Sequence, residues 1–208
     1  MIGRPAITSV FLDIGGVLLS NGWDHHARRR AAVHFKLDFD DIEERHHITD
    51  DTYEEGKLTL HEYLNRIVFY QKQPFTRDQF QSFMFAQSTP FPQMLGLAAR
   101  LKSKFGMHIT VLSNEGRELN AHRIGKFNLD RFVDSFVCSC FVHMRKPDED
   151  IFRLALDISQ ARAEQVLYIE NTKMFVQIAE SMGIQTILHT DYATTRDRLA
   201  DFGFRDDK

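Results

Sequence analysis

One stretch constrains this chain more than any other: SVFLDIGGVLLS, residues 9–20. An apolar run rises into a single carboxylate, Asp13, drops onto Gly15 and Gly16, and is followed at once by a second apolar run. A short continuous apolar run bounded by turn residues is the mark of a strand buried on both faces, as in parallel sheets. Open sheets of that kind place their chemistry at the carboxyl ends of the strands, which is where Asp13 stands. Glycines directly after it let the backbone turn tightly and approach a ligand closely.

The rest of the chain supplies the partners such a strand needs. The pattern predicts a first strand over residues 6–12 and then a long helical region over residues 23–86, without a convincing strand before Pro90. Two capping boxes stand inside that region, Thr59 with Glu62 and Thr76 with Gln79. In each, the hydroxyl and the acid or amide three residues on satisfy helix-terminal N–H groups reciprocally. After Pro92 helix and strand alternate to the end, with strands expected over residues 107–113, 135–140, 165–170 and 184–189. That alternation predicts an α/β fold, a doubly wound parallel sheet. The expected domains are a core of residues 1–19 and 91–208 and an inserted all-helical cap of residues 20–90.

Reactive side chains recur at the expected strand ends. The first strand ends at Asp13, the second at Ser113-Asn114, the fourth at Glu170-Asn171, and Lys146-Pro147-Asp148 follows the third after a short loop. A carboxylate can attack phosphorus. A hydroxyl, a backbone N–H and an ammonium can hold the non-bridging oxygens, and paired oxygen ligands suit a hard divalent cation.

This set resembles the haloacid dehalogenase superfamily, a group dominated by phosphatases, and the resemblance runs the length of the chain. FLDIGGVLL is similar to its first motif, VLS followed by Asn to its second, RKPDEDIF to its third, and LYIEN with AESMGI to its fourth. The resemblance implies a Rossmann-like core with a helical cap and a Mg²⁺-dependent phosphatase of a small phosphorylated metabolite such as a sugar phosphate. It implies Asp13 as the nucleophile that forms an aspartyl-phosphate. Ser113 and the Asn114 amide would bind the phosphoryl oxygens, with Lys146 neutralising charge. Asp13, the Gly15 carbonyl, Glu170 and Asn171 would form the metal side. Gly16 and Trp23, the sole tryptophan, are expected at the substrate.

Two positions depart from that pattern. The acid–base Asp usual two residues after the nucleophile is replaced by Gly15, and the usual acidic pair of the fourth motif is Glu170-Asn171. His25 and His26 are candidate replacements for the missing acid, since their ordinary pKa suits proton transfer near neutrality. The neutral Asn171 predicts weaker Mg²⁺ binding. Two alternatives remain open: a degenerate site kept for ligand binding, and carbon–halogen hydrolysis. Against the latter, IGGV and IENT stand where dehalogenases carry Tyr-Gly-Thr and Ser-Ser-Asn.

Composition excludes other classes. With 26 basic and 29 acidic residues the chain lacks the basic stripe of a nucleic-acid surface. No apolar run reaches the ~18 residues of a membrane span, and no secretory leader is legible. The two cysteines, Cys138 and Cys140, are expected on one strand face as reduced thiols of a cytoplasmic monomer or homodimer. His46-His47 with Asp50 and Asp51 reads as a solvated helix end, without ligand spacing.

Overall fold

The computed structural model describes residues 6–205, so the outermost residues assigned to the core, 1–5 and 206–208, lie outside the described residues. Five parallel strands form one sheet: β1 (Ser9–Leu12), β2 (His108–Ser113), β3 (Ser135–Cys138), β4 (Val166–Glu170) and β5 (Gln185–Leu188). Their order is β3-β2-β1-β4-β5, with β1 in the centre. The chain winds outward through β2 and β3 on one side and through β4 and β5 on the other. The crevice between the two halves opens beside the end of β1, where such sheets bind ligands.

Alternation along the strands assigns the two faces. Val10, Leu12, Ile109, Val111, Leu167 and Ile169 pack on one side with α5 (Pro92–Ser103) and, through Leu199, the C-terminal helix. Phe11, Leu112, Tyr168 and Val166 pack on the other with Ile151 and Phe152. Burying a side chain such as Phe11 contributes roughly 1.5–3 kcal/mol, so neither face can be turned to water. The expected strand at residues 6–12 begins only at Ser9, where both neighbouring strands pair with it. The strand expected over residues 135–140 stops at Cys138, and Cys140 lies in a helical turn, Ser139–Val142. Both cysteines are free and buried.

Between β1 and α5 lie four helices: α1 (His25–Phe35), α2 (Phe39–Glu54), α3 (Leu60–Ile67) and α4 (Arg77–Ala86). Both expected capping boxes are present, at the starts of α3 and α4. The four helices share an apolar cluster built on Trp23, Tyr53, Tyr63, Leu64, Phe80 and Met84. Trp23 sits edge-on to Phe80 with ring centroids 5.7 Å apart. Its indole N–H donates to the Tyr63 hydroxyl at 2.9 Å, which in turn reaches His46 Nδ1 at 2.8 Å. His46 is therefore an interior position of α2, half-buried, rather than part of a solvated helix end. Burial, helped by the Arg28 charge, pushes its pKa down to about 3, so the ring beside the Tyr63 hydroxyl is neutral.

Arg28 joins α1 to α2 through a two-pronged pair with Glu43, both contacts at 2.7 Å, and also donates to the Trp23 carbonyl at 2.7 Å. The Arg28 hydrogen bonds pull Glu43 from an ordinary value near 4.5 to about 2. A depressed carboxylate contributes stability that is complete above its unfolded value and is lost as pH falls through the folded one. Thermal unfolding followed by Trp23 fluorescence should therefore show an acid-dependent loss between about pH 4.5 and pH 2 that Glu43→Gln removes. An unchanged acid limb in that variant would rule out this pair as its source.

Candidate active site

The sheet register brings the reactive groups to one edge. Leu12 is level with Val111 on one side and Ile169 on the other. The next residues therefore emerge together: Asp13 from β1, Ser113 just beyond on β2, and Glu170 from β4. The Asp13 N–H still donates to the Ile169 carbonyl at 3.2 Å, which fixes the direction of the turn. Asp13, Ser113, Lys146 and Glu170 are all buried.

Lys146 is delivered from the loop before α8 (Glu149–Ser159). The Asn114 side chain clamps its backbone, donating from Nδ2 to the Lys146 carbonyl at 2.8 Å and accepting its N–H at 2.9 Å. The peptide bond that follows, Lys146–Pro147, is cis. From this anchor the ammonium reaches Glu170 Oε2 at 2.7 Å, Tyr168 Oη at 3.2 Å and Asp13 Oδ1 at 3.3 Å. Burial alone would lower the Lys146 pKa, but Asp13 and Glu170 outweigh it and hold the ammonium above its ordinary value. Burial lifts the pKa of Asp13, opposed by Lys146 and reinforced by the Glu170 charge. For Glu170 burial pulls upward as well, but Lys146 and Tyr168 prevail and keep it ionised.

The donor set fits a hard cation in part. Asp13 Oδ1 is buried and meets the Lys146 ammonium at 3.3 Å without a well-formed hydrogen bond. The Asn171 amide, with its nitrogen turned inward, donates to the Gly15 carbonyl and to Glu170 Oε1, each at 3.0 Å. Turned the other way, its oxygen joins Asp13 and the Gly15 carbonyl as a cluster of oxygen donors suited to Mg²⁺. Glu170 is committed elsewhere. Its Oε2 receives Lys146 and the Tyr168 hydroxyl, and its Oε1 accepts the Thr172 N–H at 2.8 Å. Only Oε1 faces the Asn171 side.

These groups line a cavity of about 340 Å³ that includes Asp13, Gly15, Ser113, Asn114, Lys146 and Asn171. A second cavity of about 250 Å³ lies against the helical lobe, walled by Trp23, Arg28, His46, Tyr53 and Tyr63. Asn21, Glu54, Asn114 and Glu115 line both. Trp23 thus packs in the lobe and walls the second cavity, not the one holding Asp13. Gly16 lines a separate cavity with Phe91, Met94 and His189. Its role is backbone geometry, because its φ of +75° favours glycine and a Cβ there would strike the Asn171 amide. His26 faces outward among Arg29, Arg30 and His34, away from Asp13. His25 lines the lobe cavity but is half exposed and bonded to Glu43 at 3.0 Å. Sequence reasoning missed Glu54, Glu115 and Arg145. Arg145 adjoins the Lys-Pro-Asp turn and could have been found there; Glu54 carries no local signal.

Comparison with known proteins agrees with this fold. A sequence model described as haloacid dehalogenase-like hydrolase matches residues 28–189. Two curated relatives are the bifunctional epoxide hydrolases 2 of Sus scrofa and Rattus norvegicus. They are 30% identical over 105 residues and 31% over 121, which is 49% and 55% of this chain. The matched segments span only 19% and 21% of those relatives, about a fifth of their length. Among solved structures, a HAD family enzyme from Bacteroides thetaiotaomicron, in complex with magnesium and inorganic phosphate, has a TM-score of 0.72 at 18% identity, covering 88% of this chain and 93% of that one. A HAD-like family hydrolase from Porphyromonas gingivalis gives 0.74 at 20%, covering 94% and 98%. The L-2-haloacid dehalogenase of Xanthobacter autotrophicus, with chloropropionic acid covalently bound, gives 0.61 at 13%, covering 86% and 76%. At these identities the structural likeness is one of fold.

Ligand charge tunes affinity at oxygen-donor cation sites. Calorimetric titration should find Mg²⁺ binding weaker than low micromolar, and Asn171→Asp should strengthen it by roughly tenfold or more. Tight binding by the unaltered chain, or no gain in the variant, would contradict this account of Asn171.

Proposed function

Because this chain belongs to the haloacid dehalogenase-like hydrolase family, we propose that it is a phosphatase of a small phosphorylated metabolite, acting through an aspartyl-phosphate on Asp13. One observation carries the reading. A buried carboxylate stands 3.3 Å from a buried ammonium, at the end of the central strand. Ser113 lines the same cavity.

Each residue then has a defined task. Asp13 attacks phosphorus with the carboxylate oxygen turned to the cavity. The Lys146 ammonium offsets negative charge on nucleophile and phosphoryl group, and Glu170 holds it in place. The Ser113 hydroxyl and a backbone N–H of the Ser113-Asn114 turn donate to non-bridging oxygens. Preorganised donors of this kind in a water-poor site are typically worth ~10²–10³ in rate each. Mg²⁺, held by Asp13, the Gly15 carbonyl and Asn171, would supply further charge neutralisation at the phosphoryl oxygens. The helical lobe would act as a cap, with the cavity beside Trp23 and Tyr53 receiving the leaving group. The magnesium and phosphate complex of the Bacteroides relative supports this reading, as does the oxygen-donor set around Gly15. A cytoplasmic setting and a monomer or homodimer belong to the same proposal.

Replacing Asp13 by Asn keeps size and removes the nucleophile. Asp13→Asn should abolish hydrolysis of phenyl phosphate while leaving the Trp23 emission of the folded protein intact. Full activity in that variant would refute the reading. Chelator-resistant release of halide from a 2-haloacid would replace it with carbon–halogen hydrolysis.

A further inference from the structure

Leaving-group departure needs a proton, and the loop that carries Asp13 cannot give one. Gly15 has no side chain there, and the Lys146 ammonium, held above its ordinary pKa, is a poor acid. The required group must stand where the bridging oxygen of a bound ester would lie, between the phosphoryl cavity and the leaving-group cavity. Four residues line both cavities, and only two of them, Glu54 and Glu115, are acids.

Hydrogen bonding separates the two. Glu115 uses both oxygens: Oε1 accepts the Gly116 N–H at 3.1 Å, and Oε2 accepts Arg123 Nη1 at 2.8 Å. Glu54 uses one. Its Oε2 accepts Arg145 Nη2 at 2.7 Å, and its Oε1 has no hydrogen-bond partner among the described residues. Beside it in the lobe cavity the Tyr53 hydroxyl is buried and also without a partner. The lobe cavity is thus lined by an unpartnered hydroxyl and a half-used carboxyl, two hydrogen-bonding groups a ligand can use.

We propose that Glu54, at the end of α2, is the general acid and base that replaces the side chain absent at Gly15. This rests on the phosphatase reading above. In the first step an Asp13 oxygen bonds to phosphorus as the bond from phosphorus to the ester oxygen breaks. The electron pair goes to that oxygen, which takes the Glu54 proton and leaves as an alcohol. In the second step a water oxygen bonds to phosphorus while the bond to Asp13 breaks. Glu54 accepts a proton from the water, Asp13 regains its carboxylate, and inorganic phosphate departs. Burial lifts the Glu54 pKa, as the cycle requires. Arg145 opposes that rise, while Asp50 and Asp51 on the same helix reinforce it. Glu115 faces it from the loop after β2.

The test compares two esters that differ in their need for a proton. Phenolate is a poor leaving group, whereas dinitrophenolate departs without help. With Mg²⁺ present, Glu54→Gln should lower kcat on phenyl phosphate by about 10²-fold or more. On dinitrophenyl phosphate it should keep a first-turnover burst and accumulate acid-stable-to-quench phosphoprotein, because only the water step then lacks its base. Loss of the first-turnover burst on dinitrophenyl phosphate to the same degree as on phenyl phosphate, as expected of a merely structural Glu54–Arg145 pair, would overturn the assignment, and so would no loss on either. If the Gln variant fails to fold, Glu54→Asp decides: it should slow the first turnover of phenyl phosphate selectively, and equal slowing of the first turnover on both esters overturns the assignment. A wild-type protein that turns over neither ester and forms no phosphoprotein would instead bring down the phosphatase reading itself.

Discussion

A single buried ammonium organises the active edge of this protein. Lys146 lies between the carboxylates of Asp13 and Glu170, all three withdrawn from water. Removing one partner of a buried ion pair commonly costs about 3–5 kcal/mol, because a charge is left without compensation. Every other feature of the site serves this contact. Asn114 holds the lysine backbone by two hydrogen bonds, Tyr168 adds its hydroxyl from the strand beside the nucleophile, and the Thr172 N–H takes the remaining oxygen of Glu170. The two carboxylates are kept apart in role by their partners. Glu170 accepts from Lys146, Tyr168 and the Thr172 N–H, while Asp13 meets the ammonium at the longer distance of 3.3 Å.

The same loop that presents Lys146 also fastens the helical lobe. Arg145 pairs with Asp51 and Glu54 at the end of α2. The Ser139 hydroxyl donates to the Glu54 carbonyl, and the His143 ring bonds the Glu55 carbonyl. Gly56 lies so close to Cys140 that a side chain there would clash with the backbone. The end of α2 is thus docked on the segment between β3 and Lys146. The docking sets Glu54 at the wall between the two cavities and joins lobe placement to site geometry through three consecutive turns of chain.

Much of this was legible from local signals. Apolar runs, capping boxes and the Gly15-Gly16 turn mark elements whose forces act over a few residues, and the helices and strands fall close to where those signals put them. The exceptions have physical causes. Residues 6–8 fall outside β1 because the register with β2 and β4 begins at Ser9, although the Thr8 backbone still bonds Gln165 and His108. Cys140 leaves the strand because Ser139 turns to bond the helical lobe, a contact between segments 85 positions apart. His46 looked solvated because its partner Tyr63 stands on another helix.

By itself the sequence determined the alternation of strand and helix, the order of the motifs, and the residue types at the strand ends, since these follow from hydrophobic period and turn chemistry. Tertiary structure alone decided which of those residues meet. The parallel register lifts Asp13, Ser113 and Glu170 to one edge, and a side-chain clamp swings Lys146 to them. His26 is sent elsewhere, and Glu54 is carried from a distant helix to the boundary of the site. Such contacts join groups remote in the chain through packing on both faces of a sheet, and no local pattern encodes them.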